Sequence, residues 1–225
     1  MSRQDTSETV MKAVFPAFDG FGLTIPHAPD SIAAKRMLDI ALAGLLAVLL
    51  SPMLALVSLA VALDSGGPVL FCQKRTGLNG KTFPIFKFRS MHVLEDGAEV
   101  VQASKNDARV TRVGRVIRKL SLDELPQLVN VIAGDMSLVG PRPHAVAHDT
   151  HYGAALSNYA VRQQVKPGIT GWAQVNGARG ATPTLDVMQQ RINFDAWYVA
   201  NANLALDLLI LVRTPLEVLR TRNAV

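Results

Sequence analysis

The chain has 225 residues, of which 49% are hydrophobic and 18% charged, and its mean hydropathy is +0.21. Such a composition excludes a disordered chain and is unlike an ordinary soluble domain, where about 25% of residues carry charge. The formal charge of +5 favours an anionic partner, whether nucleic acid, lipid headgroup or phosphorylated substrate. The single cysteine, Cys72, excludes an internal disulfide and a cysteine-built zinc site.

Residues 1–30 contain Pro16, Pro26 and Pro29 without hydrophobic periodicity and read as a flexible leader. The first long apolar run begins only at Ile40, behind Lys35, Arg36 and Asp39, which is the wrong arrangement for a secretory signal. From Ile40 to Leu63, 24 residues pass without a charge. As one helix they would reach ~36 Å, enough to cross a hydrocarbon core of ~30 Å. Ser51-Pro52 lies at the middle of the run, where proline removes a backbone hydrogen bond and bends the helix. Basic residues flank both sides, Lys35 and Arg36 before, then Lys74, Arg75, Lys81, Lys87 and Arg89 after, which favours keeping both ends cytoplasmic. Each half then spans ~17 Å, too short to cross alone. A re-entrant helix-break-helix over residues 31–66 meets these constraints best, provided that Ser51 or a neighbour satisfies the backbone groups that Pro52 frees. A spanning helix and a buried core helix are the alternatives.

Past Gly66-Gly67-Pro68 the pattern turns to β, and residues 67–225 read as a separate domain beyond the apolar run. Val69 to Arg75 and Phe83 to Met91 read as two strands joined by a turn at Asn79-Gly80. Strict alternation places Phe86 and Phe88 on one face and Ile85, Lys87 and Arg89 on the other, a basic ribbon near the membrane surface. Residues 92–108 read as a polar helix and loop. A short basic helix, a break and an apolar helix ending near Gly134 follow, then a rigid turn. Helices are expected from Tyr152 to Val165 and from Thr184 to Asn201. The last stretch reads as an interfacial helix with basic residues at Arg213, Arg220 and Arg222, interrupted by Asp207 and broken by Pro215. The whole is an α-rich α/β chain: membrane hairpin, β-hairpin and amphipathic helices.

Four groups of residues could carry chemistry. Ser121-Leu122-Asp123-Glu124 fits a capping box, in which both acids also favour the helix dipole. Arg112, Arg115, Arg118 and Lys119 crowd these acids, so the alternative is a cationic pocket that holds a diphosphate beside a carboxylate nucleophile or magnesium ligand. In Gly140-Pro141-Arg142-Pro143, two prolines stiffen the backbone around one arginine, as suits a phosphate or nucleobase contact; a plain turn is the alternative. His144, His148 and His151 have i, i+4, i+7 spacing, which invites a zinc site; a helix surface or a substrate contact reads better, since no acid completes a hydrolase motif. Gly168, Gly171 and Gly177 form a loop with Lys166, Trp172 and Gln174. A non-enzymatic basic membrane adaptor explains charge and hydrophobicity equally well, but not why two acids sit inside the basic cluster.

KRMLDI at 35–40, Ser51-Pro52, FPIFKFRSM at 83–91, RKLSLDELPQL at 118–128, GDMSLVGPRP at 134–143 and KPGITGWAQVNG at 166–177 together resemble the bacterial sugar transferases, the monotopic phosphoglycosyl transferases. The likeness runs from about Ile32 to the end, with the motifs in the family's order. It implies a re-entrant hairpin bent at Ser51-Pro52, with Lys35, Arg36 and Asp39 at its base, anchoring the protein to the cytoplasmic face of the bacterial inner membrane. It implies attack by Asp123 on the β-phosphate of a UDP-sugar, release of UMP, and passage of the phosphosugar to undecaprenyl phosphate. Glu124 would hold magnesium, with manganese as a substitute, Arg118 would touch phosphate, and Pro141-Arg142-Pro143 would read the nucleotide. Lys87, Arg89, His144 and Gln174 complete the implied substrate- and phosphate-binding set. HAVAH at 144–148 is similar to members that transfer glucose 1-phosphate, the first membrane step of exopolysaccharide or other surface-glycan assembly. The implied partners are the two substrates and membrane phospholipid, without nucleic acid; a homo-oligomer stays open. The chain resembles the short, catalytic-only members, and departs from its relatives at Asn201-Ala202-Asn203-Leu204, where they usually show Asn-Trp-Ser-Leu.

Overall fold

The computed structural model describes residues 29–92 and 107–220. The expected leader up to residue 28, most of the expected polar helix and loop of residues 92–108, and Arg222 lie outside the described residues, while residues 29 and 30 open the first helix.

Helices α1 (Pro29–Leu49) and α2 (Ser51–Asp64) meet at a bend of 63°. No single helix among the described residues is long and apolar enough to cross a membrane, but this bent pair passes that test together. The bend follows from Pro52, which has no N–H for the carbonyl of Val48, four residues earlier. Ser51 Oγ donates to that same carbonyl at 2.8 Å, so the orphaned acceptor is satisfied within the turn. Leu45, Val48, Leu49, Leu56, Leu59 and Leu63 stand exposed around the pair.

The base of α1 is fastened to the rest of the protein by the charges that precede the apolar run. Lys35 Nζ donates to Asp207 at 2.6 Å and to the Val139 carbonyl at 3.1 Å. Arg36 donates to the Val131 and Ile132 carbonyls, in the last turn of a later helix. Asp39 is buried and accepts from Ser137 Oγ and from the Leu138 amide at 2.9 Å. The Lys-Arg-x-x-Asp motif is therefore a set of bolts as well as a charge flank.

Strands β1 (Leu70–Thr76) and β2 (Thr82–Phe88) form an antiparallel hairpin with Cys72 opposite Phe86 and Lys74 opposite Pro84. Asn79 takes a left-handed φ of 54° in the connecting turn, as the Asn-Gly signal requires. The ribbon does not turn its basic face outward. Phe83 and Ile85 enter the main core, with Lys87 next on the same face, and Phe88 packs with Val57, Val61 and Ile117 under α2. Asn130 fixes this placement, since its side-chain amide accepts from the Phe86 amide at 3.0 Å and donates to the Pro84 carbonyl at 2.7 Å.

After helix α3 (Arg112–Lys119), capped by Thr111 Oγ1, comes a 3-10 turn (Leu122–Glu124) and then α4 (Gln127–Ala133), which ends on Gly134 at φ 96°. The short parallel strands β3 (Ser137–Val139) and β4 (Gly168–Thr170) pair in register, Ser137 with Gly168 and Val139 with Thr170. A Cβ at Gly140, Gly168 or Gly171 would fall on facing backbone, so the close approach of the two loops requires glycine there. Between the strands lie α5 (Val146–Ala155) and a 3-10 segment (Tyr159–Gln164), in place of the single expected helix from Tyr152 to Val165. Helices α6 (Trp172–Val175), α7 (Leu185–Asn201) and α8 (Leu204–Arg220) complete the chain. Pro215 does not break α8. Asp207, which looked like an interruption of an apolar helix, is buried against Lys35 and accepts from Tyr198 Oη at 2.7 Å. The opposite side of α8 leaves Leu208, Val212, Leu216 and Leu219 exposed.

Candidate functional site

The acidic pair sits where three elements converge. Ser121 adopts a left-handed conformation, φ 56° and ψ 21°, and turns the chain from α3 into the 3-10 segment that carries Asp123 and Glu124. That conformation rules out the capping box: Ser121 caps no helix, and α4 starts only at Gln127 behind Pro126. The tight turn sends the adjacent carboxylates to different surroundings. Glu124 is gripped by Arg142 in a two-pronged ion pair, with Nη1 to Oε2 at 2.8 Å and Nη2 to Oε1, while Lys87 Nζ lies 3.4 Å from Oε1. Asp123 is 7% exposed, and among the described residues it accepts no hydrogen bond.

Electrostatics separate the two acids. Burial, followed by the negative charge of Glu124, pushes the Asp123 carboxyl up to about 6, against the pull of Lys87, Arg118 and Arg142. Burial would also raise Glu124, but Arg142 and Lys87 outweigh it and hold that carboxyl far below the usual range. Burial draws the Lys87 ammonium down to about 8, although Glu124 opposes this. The Arg142 guanidinium is held charged by Glu124. One acid is locked in an ion pair. The other is an ionisable carboxyl set among cations, with no hydrogen-bond donor to it among the described residues.

Behind Arg142 lies a buried frame. Arg162 donates through Nη2 to the Arg142 carbonyl, pairs with Asp195 at 3.1 Å, and donates through Nη1 to His144 Nδ1 at 2.5 Å. His144 therefore accepts at Nδ1 and carries its proton on Nε2, and burial, then the nearby Arg162 charge, keeps it neutral. Tyr159 Oη completes the group, 2.6 Å from His144 Nδ1 and donating to Asp149 at 2.5 Å.

The structure gathers Asp123, Glu124, Lys87, Arg118 and Arg142 into one cluster, with Pro141 and Pro143 bracketing its arginine and His144 directly behind. Arg89 does not join it. Its side chain is buried and donates to the carbonyls of Val61, Ser65 and Pro68 and to Ser65 Oγ, closing the C-terminus of α2. Arg89 therefore caps the end of α2 and does not reach the acidic pair. Gln174 uses Nε2 to hold the Ile169 carbonyl at 2.9 Å, so it braces the loop between β4 and α6. The zinc reading fails: His144 precedes α5, whose first residue is Val146, and the rings of His148 and His151 pack on Tyr152 at 6.2 and 4.9 Å between centroids. Among the described residues no group of three His, Cys, Asp or Glu could hold a metal. Asp123 and Glu124 therefore fit a magnesium ion only in the shared manner, one or two carboxylates completed by substrate phosphate oxygens and water.

Sequence reading missed Arg179. It lies between Gly177 and Gly180, both at positive φ, and donates through Nη2 to Ser121 Oγ beside the acidic pair. The available signal was its isolation: it is the one basic residue between Lys166 and Arg191.

Comparison with known proteins places the chain in a family. A family model described as bacterial sugar transferase matches residues 30–221. The chain is 54% identical over 190 residues to a UDP-glucose:undecaprenyl-phosphate glucose-1-phosphate transferase of Caulobacter vibrioides, covering 84% of this chain and 71% of that one. It is 52% identical over 180 residues to the Escherichia coli K12 protein of the same name, covering 80% of this chain but 39% of the relative. It is 42% identical over 187 residues to an exopolysaccharide production protein of Rhizobium leguminosarum, covering 81% and 94%. With its motifs, its clustered acids and arginines and a match along most of its length, the chain belongs to the bacterial sugar transferase family.

Proposed function

We propose that the protein transfers glucose 1-phosphate from UDP-glucose to undecaprenyl phosphate by way of an aspartyl-phosphate intermediate. The observation that carries this reading is the contrast within the acidic pair: Asp123 is buried, free of hydrogen bonds among the described residues and surrounded by cations, whereas Glu124 is locked to Arg142 and Lys87. The names of the relatives at 54% and 52% identity support the choice of substrates. In the first step an Asp123 oxygen attacks the β-phosphorus, an Asp–phosphorus bond forms, and the bond to the bridging oxygen breaks with its electron pair leaving on UMP. In the second, a phosphate oxygen of undecaprenyl phosphate attacks the same phosphorus and releases the Asp123 carboxylate. Lys87, Arg118 and Arg142 stabilise the charge that builds on the phosphoryl oxygens. A magnesium ion held by Glu124 and the substrate would supply further charge neutralisation and orientation.

The bent pair α1 and α2 would form the re-entrant anchor, both ends at the cytoplasmic face of the inner membrane, with residues 67–225 as the catalytic domain. The exposed leucines and valines of the hairpin and of α8, and the satisfied Val48 carbonyl at the bend, support that placement in phospholipid. The test is to incubate purified protein with UDP-glucose and other UDP-sugars without lipid. A burst of UMP near stoichiometric with enzyme, and an acyl-phosphate on Asp123, is expected. UMP formed only when polyprenyl phosphate is added would refute the two-step reading.

A further inference from the structure

We infer that Arg179 is a further phosphate-binding arm of the site, holding the diphosphate of the sugar nucleotide together with Arg142. The inference rests on the donor assignment above. Three observations place Arg179 there. Its Nη2 donates to Ser121 Oγ, on the left-handed residue that launches the acidic turn, and its charge interacts most strongly with Glu124, then Arg142 and Asp123. Its Nη1 is buried and finds no acceptor among the described residues. The loop that bears it is held on both sides of the arginine: the buried Arg191 of α7 donates through Nε to the Ala178 carbonyl at 3.1 Å and through Nη2 to the Gly180 carbonyl at 2.6 Å.

These features are costly unless a ligand uses them. A buried guanidinium N–H without an acceptor loses its hydration and gains nothing in return. Glu124 does not supply that acceptor: its oxygens pair with Arg142 and Lys87, and no hydrogen bond joins it to Arg179. Around the acidic pair, Lys87, Arg118, Arg142 and Arg179 outnumber Asp123 and Glu124, and of the charges farther out Arg75 acts on Lys87 and Glu217 on Arg179, so the cluster keeps an excess of positive charge. A sugar nucleotide with one negative charge on each phosphoryl group complements that excess. A planar guanidinium on a braced loop suits a phosphoryl group, since it presents paired donors at small cost in ordering. The alternative is a brace that only steadies Ser121.

The two roles separate by experiment on the full-length protein purified in detergent. UDP-glucose binding is measured by calorimetry in an Asp123→Asn background, which forms no adduct, for the otherwise wild-type sequence, Arg179→Ala, Arg179→Lys and Ser121→Ala, with a thermal melt of each. Arg179→Ala is expected to weaken UDP-glucose binding at least fivefold, and Arg179→Lys by less. Ser121→Ala, which removes the brace and keeps the guanidinium, is expected to bind within twofold of the otherwise wild-type sequence. A smaller effect of Arg179→Ala, or a Ser121→Ala variant that reproduces its loss, would overturn the phosphate role while leaving the donor assignment intact. If Arg179→Ala fails to fold, the Lys variant decides: UDP-glucose affinity equal to that of the otherwise wild-type sequence overturns the inference. An otherwise wild-type sequence that binds no UDP-glucose overturns both readings.

Discussion

Replacing Asp123 with Asn should make the protein more stable at neutral pH while removing its nucleophile. The carboxyl is raised from 3.8 to about 6 by burial and by Glu124, so its ionised form is tolerated less well in the folded protein than in the unfolded chain. The difference of about 2 units corresponds to about 3 kcal/mol, an upper bound on what a neutral isostere recovers. The sign over pH follows from the same values. Above pH 6 the aspartate is ionised in both states and the full penalty applies; between pH 6 and 4 the folded protein takes up its proton first, so wild type gains stability as pH falls. The advantage of Asp123→Asn should therefore be largest near pH 7.5 and vanish toward pH 4. Thermal or denaturant unfolding in detergent micelles at pH 7.5, 6 and 4.5 measures it. An Asn variant that is less stable than wild type at pH 7.5, or whose advantage does not shrink on acidification, would refute the account of Asp123 as a strained, desolvated anion.

The neighbouring acid should behave oppositely. Glu124→Gln strands Arg142 and Lys87 in a buried site and should cost about 3–5 kcal/mol at pH 7.5; because the carboxyl of Glu124 is held far down, that cost should persist above its unfolded value of 4.5 and fade only in stronger acid, as the same melts would show. The UMP burst should follow a bell over pH, with an acid limb near 6 as Asp123 ionises and a basic limb near 8 as Lys87 loses its proton, read by stopped assays at constant ionic strength. Gly168→Ala should lower the melting temperature and the yield of folded protein, since its Cβ would meet the Gly140 backbone across the β3–β4 contact.

Local chemistry made much of the molecule legible before any coordinates. Asn79-Gly80 places the hairpin turn, Ser51-Pro52 the bend, and Gly134 the end of α4, because each depends on backbone geometry within a few residues. The acids stood out by their basic neighbourhood. What misled was charge taken as a sign of exposure. Lys87, Arg89 and Asp207 all turn inward, and each does so toward a partner remote in sequence: Glu124, the end of α2, and Lys35. The amide of Asn130 that draws β2 onto α4 acts across 46 residues to Pro84, beyond the reach of any periodicity. The left-handed Ser121 overrides a capping motif that fits by spacing alone, since tertiary contacts decide which turn the chain makes.

Arg191 and Asp195 stand one turn apart on α7, and each secures a different loop: Arg191 the carbonyls of Ala178 and Gly180, and Asp195, through Arg162, the carbonyl of Arg142. Both attachments are buried. Neither loop can lift without breaking bonds to the same helix, so the segments around Arg142 and Arg179 belong to one opening unit, with a shared free energy for local unfolding. Backbone amides in the two loops would then exchange with solvent as a single class, slowed together when α7 is steadied and released together when it frays.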